Sequence, residues 1–122
     1  MEKTAKIKKV TALQVAKAAL KVAEKKPENK NPLGKSSQCF HFYDDGQPGC
    51  IFGHALHGLN ITAKQVKNHT TILDLGLAFS WNERDSARLS KVQRKADRME
   101  KWGTLVPDIK EAIELIGQDI NE

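Results

Sequence analysis

The chain is 122 residues long, the length of one ordinary domain, and this length lets a single core close without a metal or disulfide staple. Hydrophobic residues make up 39% of the chain and charged residues 29%, which predicts a compact core beneath a heavily solvated surface. General disorder is not expected, because the apolar positions are periodic. The two cysteines are too few for a disulfide scaffold, and no run is apolar enough for a membrane span or a secretory signal, so we expect a cytoplasmic protein.

Positive charge is concentrated at the N-terminal end. Residues 1–35 hold ten lysines against three glutamates, in a chain whose net charge is +5. We expect residues 1–10 to form a mobile basic N-terminus and residues 11–122 to form a single globular helical domain. A lysine-rich segment suits a solvated helix, and it also suits contact with nucleic acid or with an acidic protein surface.

The first predicted helix begins at Thr11. Thr11 and Gln14 have the spacing of a capping box, and Val10 and Val15 have the spacing of a hydrophobic staple. The helix should end near Lys26, because a proline follows. Its apolar positions recur at helical intervals and form one stripe: Leu13, Val15, Ala16, Ala19, Leu20, Val22 and Ala23.

The middle of the chain carries a predicted β-element. Residues 28–37 are typical of an exposed loop, because proline, glycine, asparagine and serine are concentrated there. The aromatic sequence QCFHFY favours a short strand, and DDGQPG favours a tight turn after it. Pro48 can then open a helix that ends near Gly58 and Asn60, although residues 50–52 are also compatible with a short returning strand.

Two shorter helices are predicted next. Thr62 is placed to cap a helix over residues 63–68. Thr70 or Thr71 is placed to cap another over ILDLGLAF, whose apolar composition indicates burial.

The C-terminal part is predicted to hold the longest helix, residues 83–102, capped by Asn82 and ended by Gly103. Pro107 then opens a last helix. The buried side of that last helix should contain Ile109, Ala112, Ile113 and Ile116. The predicted fold class is therefore mainly α: a compact single-domain helical bundle with a small β-hairpin or short strand near the middle.

A cluster of cysteine and histidine residues surrounds the predicted turn: Cys39, His41, Cys50, His54 and His57. On a helix Cys50, His54 and His57 would share one face, as zinc ligands do, but the spacing is not a familiar zinc pattern. A nucleophilic Cys50 beside His54 is a further alternative, without an evident acid to orient the histidine. We favour the interpretation in which both cysteines are small buried hydrophobic residues, and we predict no metal, cofactor or catalytic residue.

Five cations lie along one face of the predicted long helix. At 100° per residue they fall within an arc of roughly 80°. These five residues, which we call the basic row, are Arg84, Arg88, Lys91, Lys95 and Arg98. The neighbouring sector, with Leu89, Val92, Ala96 and Met99, should face the core, and Trp102 could stack on Arg98. The row is either a solvated face paired with acids such as Asp108, Glu111 and Glu114, or a docking site for phosphates or an acidic partner.

Several stretches resemble small uncharacterised proteins of bacteriophages and actinobacteria. The resemblance is carried by VTALQVAKAALKVAEKKPE, then Cys39, then GQPGCIFGHALHGLN with its C-x-x-G-H-A-L-x-x-L core, and finally VQRKADRMEKWGTLV. This chain departs from the pattern at Asn60, where glycine is expected, and in its higher lysine content. The resemblance implies a small phage or phage-derived protein of the host bacterial cytoplasm, and it transfers no catalytic residue.

The leading functional prediction is a non-enzymatic accessory protein that binds a host or phage protein with an acidic surface through the basic row. A nonspecific nucleic-acid-binding protein is the alternative, because the isoelectric point is near 9.3. A second alternative is a zinc-supported module that uses the cysteine and histidine stretch. No phosphate-binding glycine loop, nucleophile elbow or HExxH motif is present, so an enzyme is not expected.

Overall fold

A computed structural model describes residues 10–30, 48–62, 72–98 and 100–120. Within these ranges the chain is mainly helical, as predicted, and no strand is present. The helices are α1 (Ala12–Lys25), α2 (Ile51–Gly58), α3 (Ile72–Phe79), α4 (Glu83–Asp97) and α5 (Val106–Ile120), with a 3-10 turn at Trp102–Leu105. The predicted strand at residues 38–43, the first four residues of the predicted turn at residues 44–49, and the predicted helix at residues 63–68 lie outside the described residues.

Helix α1 begins as its capping pattern predicts. The Gln14 amide donates to Oγ1 of Thr11 at 3.0 Å, and the Thr11 amide donates to Oε1 of Gln14 at 2.8 Å. Val10 and Val15, the predicted staple pair, are both buried, so Val10 belongs to the core. The other residues of the predicted mobile basic N-terminus, residues 1–9, lie outside the described residues. The indole nitrogen of Trp81 donates to the Val10 carbonyl at 2.8 Å. This hydrogen bond joins the residue before α1 to the connection between α3 and α4.

The core lies where α1 packs against α2 and α5, while α4 packs against α3 and α5. Small residues on α1, such as Ala16 and Ala19, are fully buried and allow neighbouring helices to approach closely. Larger side chains fill the space between the helices, and the largest fully buried ones include Trp102, Phe52, Leu56, Leu89, Ile109 and Ile116. Of the predicted buried side of α5, Ile113 is only partly buried.

Helix α2 starts at Ile51 and not at Pro48, with Cys50 at the N-cap position in an extended conformation. The alternative of a strand at residues 50–52 is therefore wrong. At the other end the Ile61 amide donates to the Leu56 carbonyl at 2.9 Å, and the Asn60 amide donates to the His57 carbonyl at 3.0 Å, which together form a Schellman motif. Asn60 has φ 66°, the left-handed conformation in which glycine is expected, and asparagine tolerates it.

Helix α3 occupies ILDLGLAF as predicted and ends in the same way. Ser80 has φ 62°, its amide donates to the Leu77 carbonyl at 3.4 Å, and the Trp81 amide donates to the Gly76 carbonyl at 2.8 Å. A Cβ atom at Gly76 would collide with the buried Ser86 of α4. Glycine at this position therefore sets how closely α3 and α4 pack.

Helix α4 is capped by Asn82, whose Oδ1 accepts from the Asp85 amide at 2.8 Å, but it ends at Asp97 and not at Trp102. The predicted extension is wrong because tertiary hydrogen bonds hold the following segment. The Trp102 amide donates to the Asn29 carbonyl at 2.7 Å, and the Gly103 amide donates to the Pro27 carbonyl at 2.9 Å. We call this pairing of residues 26–30 with residues 101–103 the clasp. Gly103 consequently lies within the 3-10 turn, and α5 begins at Val106, one residue before Pro107.

An exposed ion pair also joins the two segments of the clasp. Nζ of Lys101 donates to Oε1 of Glu28 at 2.7 Å. This hydrogen bond, together with the charge of Lys101, lowers the pKa of the Glu28 carboxyl. Both side chains are exposed, so solvent screens the pair and the two backbone hydrogen bonds carry the clasp.

Candidate functional site

The basic row lies on α4 and at its C-cap, and the structure divides it into two groups. Arg84, Lys91 and Arg98 are exposed, whereas Arg88 and Lys95 are partly buried against α5. The predicted core sector is confirmed for Leu89, Val92 and Ala96, while Met99 lies outside the described residues. Two polar residues that the pattern did not assign to the core, Ser86 and Gln93, are also buried.

Arg88 and Lys95 contribute to packing between helices. Nη1 of Arg88 donates to the Leu115 carbonyl at 3.2 Å and lies 3.9 Å from Oδ1 of Asp85. Nζ of Lys95 donates to Oδ1 of Asp108 at 2.9 Å, which confirms the predicted pairing of the row with that acid. The hydrogen bond and the negative charge of Asp108 raise the pKa of Lys95. These two cations are therefore already neutralised or bonded within the fold.

The three exposed members of the row are evenly spaced. Arg84, Lys91 and Arg98 are seven residues apart, which corresponds to about 10 Å between neighbours along a helix axis. That separation slightly exceeds the Debye length at physiological salt, about 8 Å, so their mutual repulsion is weak. A line of cations at this spacing can meet carboxylates or phosphates on a separate surface.

The predicted stacking of Trp102 on Arg98 is wrong. Trp102 has 1% of its surface exposed, and its ring meets His54 edge to face with the ring centroids 5.2 Å apart. The prediction failed because α4 ends at Asp97, so Trp102 is not part of that helix and does not lie on the same helical face as the row. The tryptophan that the sequence placed on a binding face is a core residue.

The cysteine and histidine residues do not converge where they are described. Cys50 is fully buried, His54 is half-buried and His57 is exposed, so the three do not present a common ligand face. Within the described parts of the chain no group of three or more histidine, cysteine, aspartate or glutamate residues could hold a metal ion. Cys39 and His41 lie outside the described residues.

His54 occupies a distinct electrostatic environment. Burial of the ring lowers its pKa, and the positive charge of Lys26 lowers it further, while Cys50 opposes the shift. The neutral imidazole is therefore favoured, which suits its edge contact with Trp102.

A groove between α1 and α2 is a second candidate site, which sequence reasoning missed. It has a volume of about 350 Å³, an apolar floor that includes Ala18, Val22, Ala55 and Leu59, and two lysines, Lys17 and Lys21, on its rim. The other described residues that line the groove are Gln14, His54 and Gly58. The sequence indicated the α1 side of the groove only in part, since Ala18 lies at the border of the apolar stripe of α1. That α2 packs beside this position could not be inferred from the sequence.

Comparisons with known proteins add no assignment: no protein-family model, curated protein or solved structure matches this chain. Among the described residues, no helix has both the length and the apolar character needed to cross a bilayer.

Proposed function

We propose that this chain is a non-enzymatic accessory protein, of phage or phage-derived origin, that binds a host or phage protein with an acidic surface. The observation that carries the proposal is the line of exposed cations Arg84, Lys91 and Arg98 on a helix whose opposite face is buried. The assignment to phage rests on the sequence resemblance described above. The host bacterial cytoplasm is the compartment that this origin would imply.

The rigidity of α4 supports a docking role for these three side chains. Leu89, Val92 and Ala96 anchor the helix in the core, and Arg88 and Lys95 hold it to α5. The three exposed cations therefore project from a backbone that is already fixed, which reduces the entropy lost on binding. Charge complementarity of this kind mainly raises the association rate and the specificity of a complex.

The test is quantitative affinity capture from bacterial lysate with a triple variant, Arg84→Glu, Lys91→Glu and Arg98→Glu. We expect the variant to remain folded and to lose the partner that the wild-type chain retains. A control with the same change in net charge is Lys25→Glu, Arg94→Glu and Lys110→Glu, since these cations are exposed but lie outside the row. Equal loss with both variants, or retention of the partner by the first, would refute the assignment of the contact to the row.

Nonspecific binding of nucleic acid is the second candidate, favoured by the net charge of +5. A phosphate-dominated contact weakens steeply with salt, with a slope proportional to the number of phosphates neutralised. Fluorescence anisotropy with duplex DNA and single-stranded RNA at increasing salt therefore separates the two candidates. Absence of binding at low salt would exclude nonspecific nucleic-acid binding. Tight binding with a steep salt dependence that the triple variant reduces would favour nucleic-acid binding over a protein partner.

A further inference from the structure

The groove between α1 and α2 has the composition of a helix-binding site. Its floor consists of small and medium apolar side chains, with Ala18 and Val22 one turn apart on α1, and with Ala55 on α2 one turn before Leu59 at the C-cap of that helix. Small residues at such positions let the axis of another helix approach to the usual packing distance of 8–10 Å. Ala18, Val22 and Leu59 are only partly buried in this chain, so an incoming helix can cover additional apolar surface.

The rim of the groove is positively charged. Lys17 and Lys21 line one side and are exposed, and among the described residues that line this groove none is acidic. Lys26 lies close enough to His54 for its charge to act on the imidazole, which extends the positive potential towards the end of α1. Glu24 is exposed on α1 but does not line the groove. The site therefore complements an apolar ligand with negative charges along its edges.

The dimensions favour a short helical segment over a small molecule. The α1 wall runs from Gln14 to Val22, which corresponds to about 12 Å along a helix axis, or two turns of a bound helix. Exposed residues on both walls, Lys17, Lys21 and Gly58, leave the groove open to solvent. Small-molecule sites instead enclose most of the ligand and direct several polar groups at it.

We propose that the α1–α2 groove binds an amphipathic helix of a partner protein that carries acidic residues along its flanks. This site is separate from the basic row: it uses different helices and recognises an apolar stripe, whereas the row would contact surface charge alone. Two apolar anchors at i and i+4 would lie against the partly exposed Ala18, Val22 and Leu59, and acidic side chains beside them would pair with Lys17 and Lys21.

Gly58 supplies a selective way to block the groove. It lies in the last turn of α2, it is exposed, and a Cβ atom added there would meet nothing within 4 Å. Gly58→Leu should therefore fill the groove without disturbing the core. Gly117 on α5 also has open space around an added Cβ, so Gly117→Leu is the matched control. For charge, Lys17→Glu with Lys21→Glu is compared with Lys110→Glu, an exposed lysine of α5.

The experiment titrates the full chain, labelled with ¹⁵N, with a synthetic helical peptide of roughly 15 residues that has a leucine and alanine stripe and glutamate flanks. We expect saturable shifts at the amides of Ala18, Val22, Ala55 and Gly58. Gly58→Leu and the double lysine variant should each weaken binding by about tenfold or more. Gly117→Leu and Lys110→Glu should leave binding unchanged.

Several outcomes would overturn the proposal. One is the absence of saturable shifts, and another is equal binding of a peptide with lysine in place of every glutamate. Retention of binding by Gly58→Leu would place the contact elsewhere. Shifts of the same amides by decanoate, when the peptide produces none, would indicate a small amphipathic anion, and concentration-dependent shifts without peptide would indicate a second copy of this chain. The triple variant of the basic row should bind the peptide normally. Failure of the groove proposal can therefore be distinguished from failure of the proposal that the basic row binds a protein partner.

Discussion

The clasp between residues 26–30 and 101–103 depends on the absence of a side chain at Gly103. A Cβ atom there would lie 2.8 Å from Cβ of Pro27 and 3.1 Å from the Pro27 carbonyl oxygen, closer than ordinary van der Waals contact. Gly103→Ala should therefore force the two segments apart. Such overpacking costs about 1–3 kcal/mol. Displacement would also weaken the hydrogen bonds from Gly103 and Trp102, each of which contributes about 1 kcal/mol net.

An opposing contribution comes from the unfolded state, because alanine restricts the unfolded chain more than glycine does, by about 0.5–1 kcal/mol. The expected net loss in the free energy of unfolding is about 2 kcal/mol. For a domain of this size the loss corresponds to a decrease in Tm of about 6–10 °C. Urea unfolding monitored by circular dichroism measures the free energy, and a thermal scan measures Tm.

Gly117→Ala is the control for this substitution, since a Cβ atom at Gly117 meets nothing within 4 Å. We expect it to stabilise α5 by about 0.5–1 kcal/mol. Pro27→Gly removes the Cβ atom that lies nearest to the added methyl group, so Gly103→Ala should cost less in that background. The reasoning is refuted if Gly103→Ala is as stable as Gly117→Ala, or if its cost is the same with and without Pro27.

Three further predictions concern the helix end, the row and the half-buried histidine. Ser80→Gly should raise the free energy of unfolding by about 1 kcal/mol, measured by urea unfolding, because Ser80 holds a positive φ that glycine adopts without strain. Arg88→Ala should lower the free energy of unfolding by about 1 kcal/mol through loss of the bond to the Leu115 carbonyl, whereas Arg94→Ala, at an exposed position of the same helix, should change it by less than about 0.5 kcal/mol. His54→Gln should reduce the loss of stability between neutral and mildly acidic pH, because the native pKa of His54 lies below its unfolded value near 6.5.

The sign of the pH effect follows from the direction of that shift. A depressed native pKa means that the contribution of His54 is fully present above the unfolded pKa and is lost as the pH falls towards the native pKa. His57→Gln, at an exposed position, should leave the pH dependence unchanged. An unaltered acid slope in His54→Gln would contradict the burial of the imidazole. For the end of α3, Ser90→Gly within α4 is the control and should lower the free energy of unfolding. An equal decrease for Ser80→Gly would contradict the positive φ of Ser80.

Local capping patterns in the sequence predicted the starts of α1 and α4, whereas the predicted start of α2 at Pro48 was wrong. The capping box of Thr11 and Gln14 and the cap at Asn82 involve residues three positions apart, so the interactions that form them are contained within the pattern itself. The helix over ILDLGLAF was predicted from its composition, and the burial of Cys50 from its hydrophobic character. These features depend on chain neighbours or on hydrophobic burial alone.

The candidate sites were less accessible to sequence reasoning. Four of the five cations of the row lie on α4 and Arg98 lies at its C-cap, but the pairing of the row with Asp108 and with the Leu115 carbonyl requires the position of α5, which periodicity does not contain. The α1–α2 groove is formed by residues about forty positions apart along the chain, and it exists only because the two helices pack side by side. A binding surface made by two elements is a property of their relative placement.

The sequence by itself determined the helical class, the principal caps and the concentration of positive charge, because backbone conformation at a cap and the sign of a side chain are set within a few residues. Tertiary structure alone decided where α4 ends, that Trp102 is buried against His54, and which members of the basic row remain exposed. The physical reason is that backbone hydrogen bonds from Trp102 and Gly103 to Asn29 and Pro27, in the segment that follows α1, replace the last helical turn with a contact between segments that are distant in the chain.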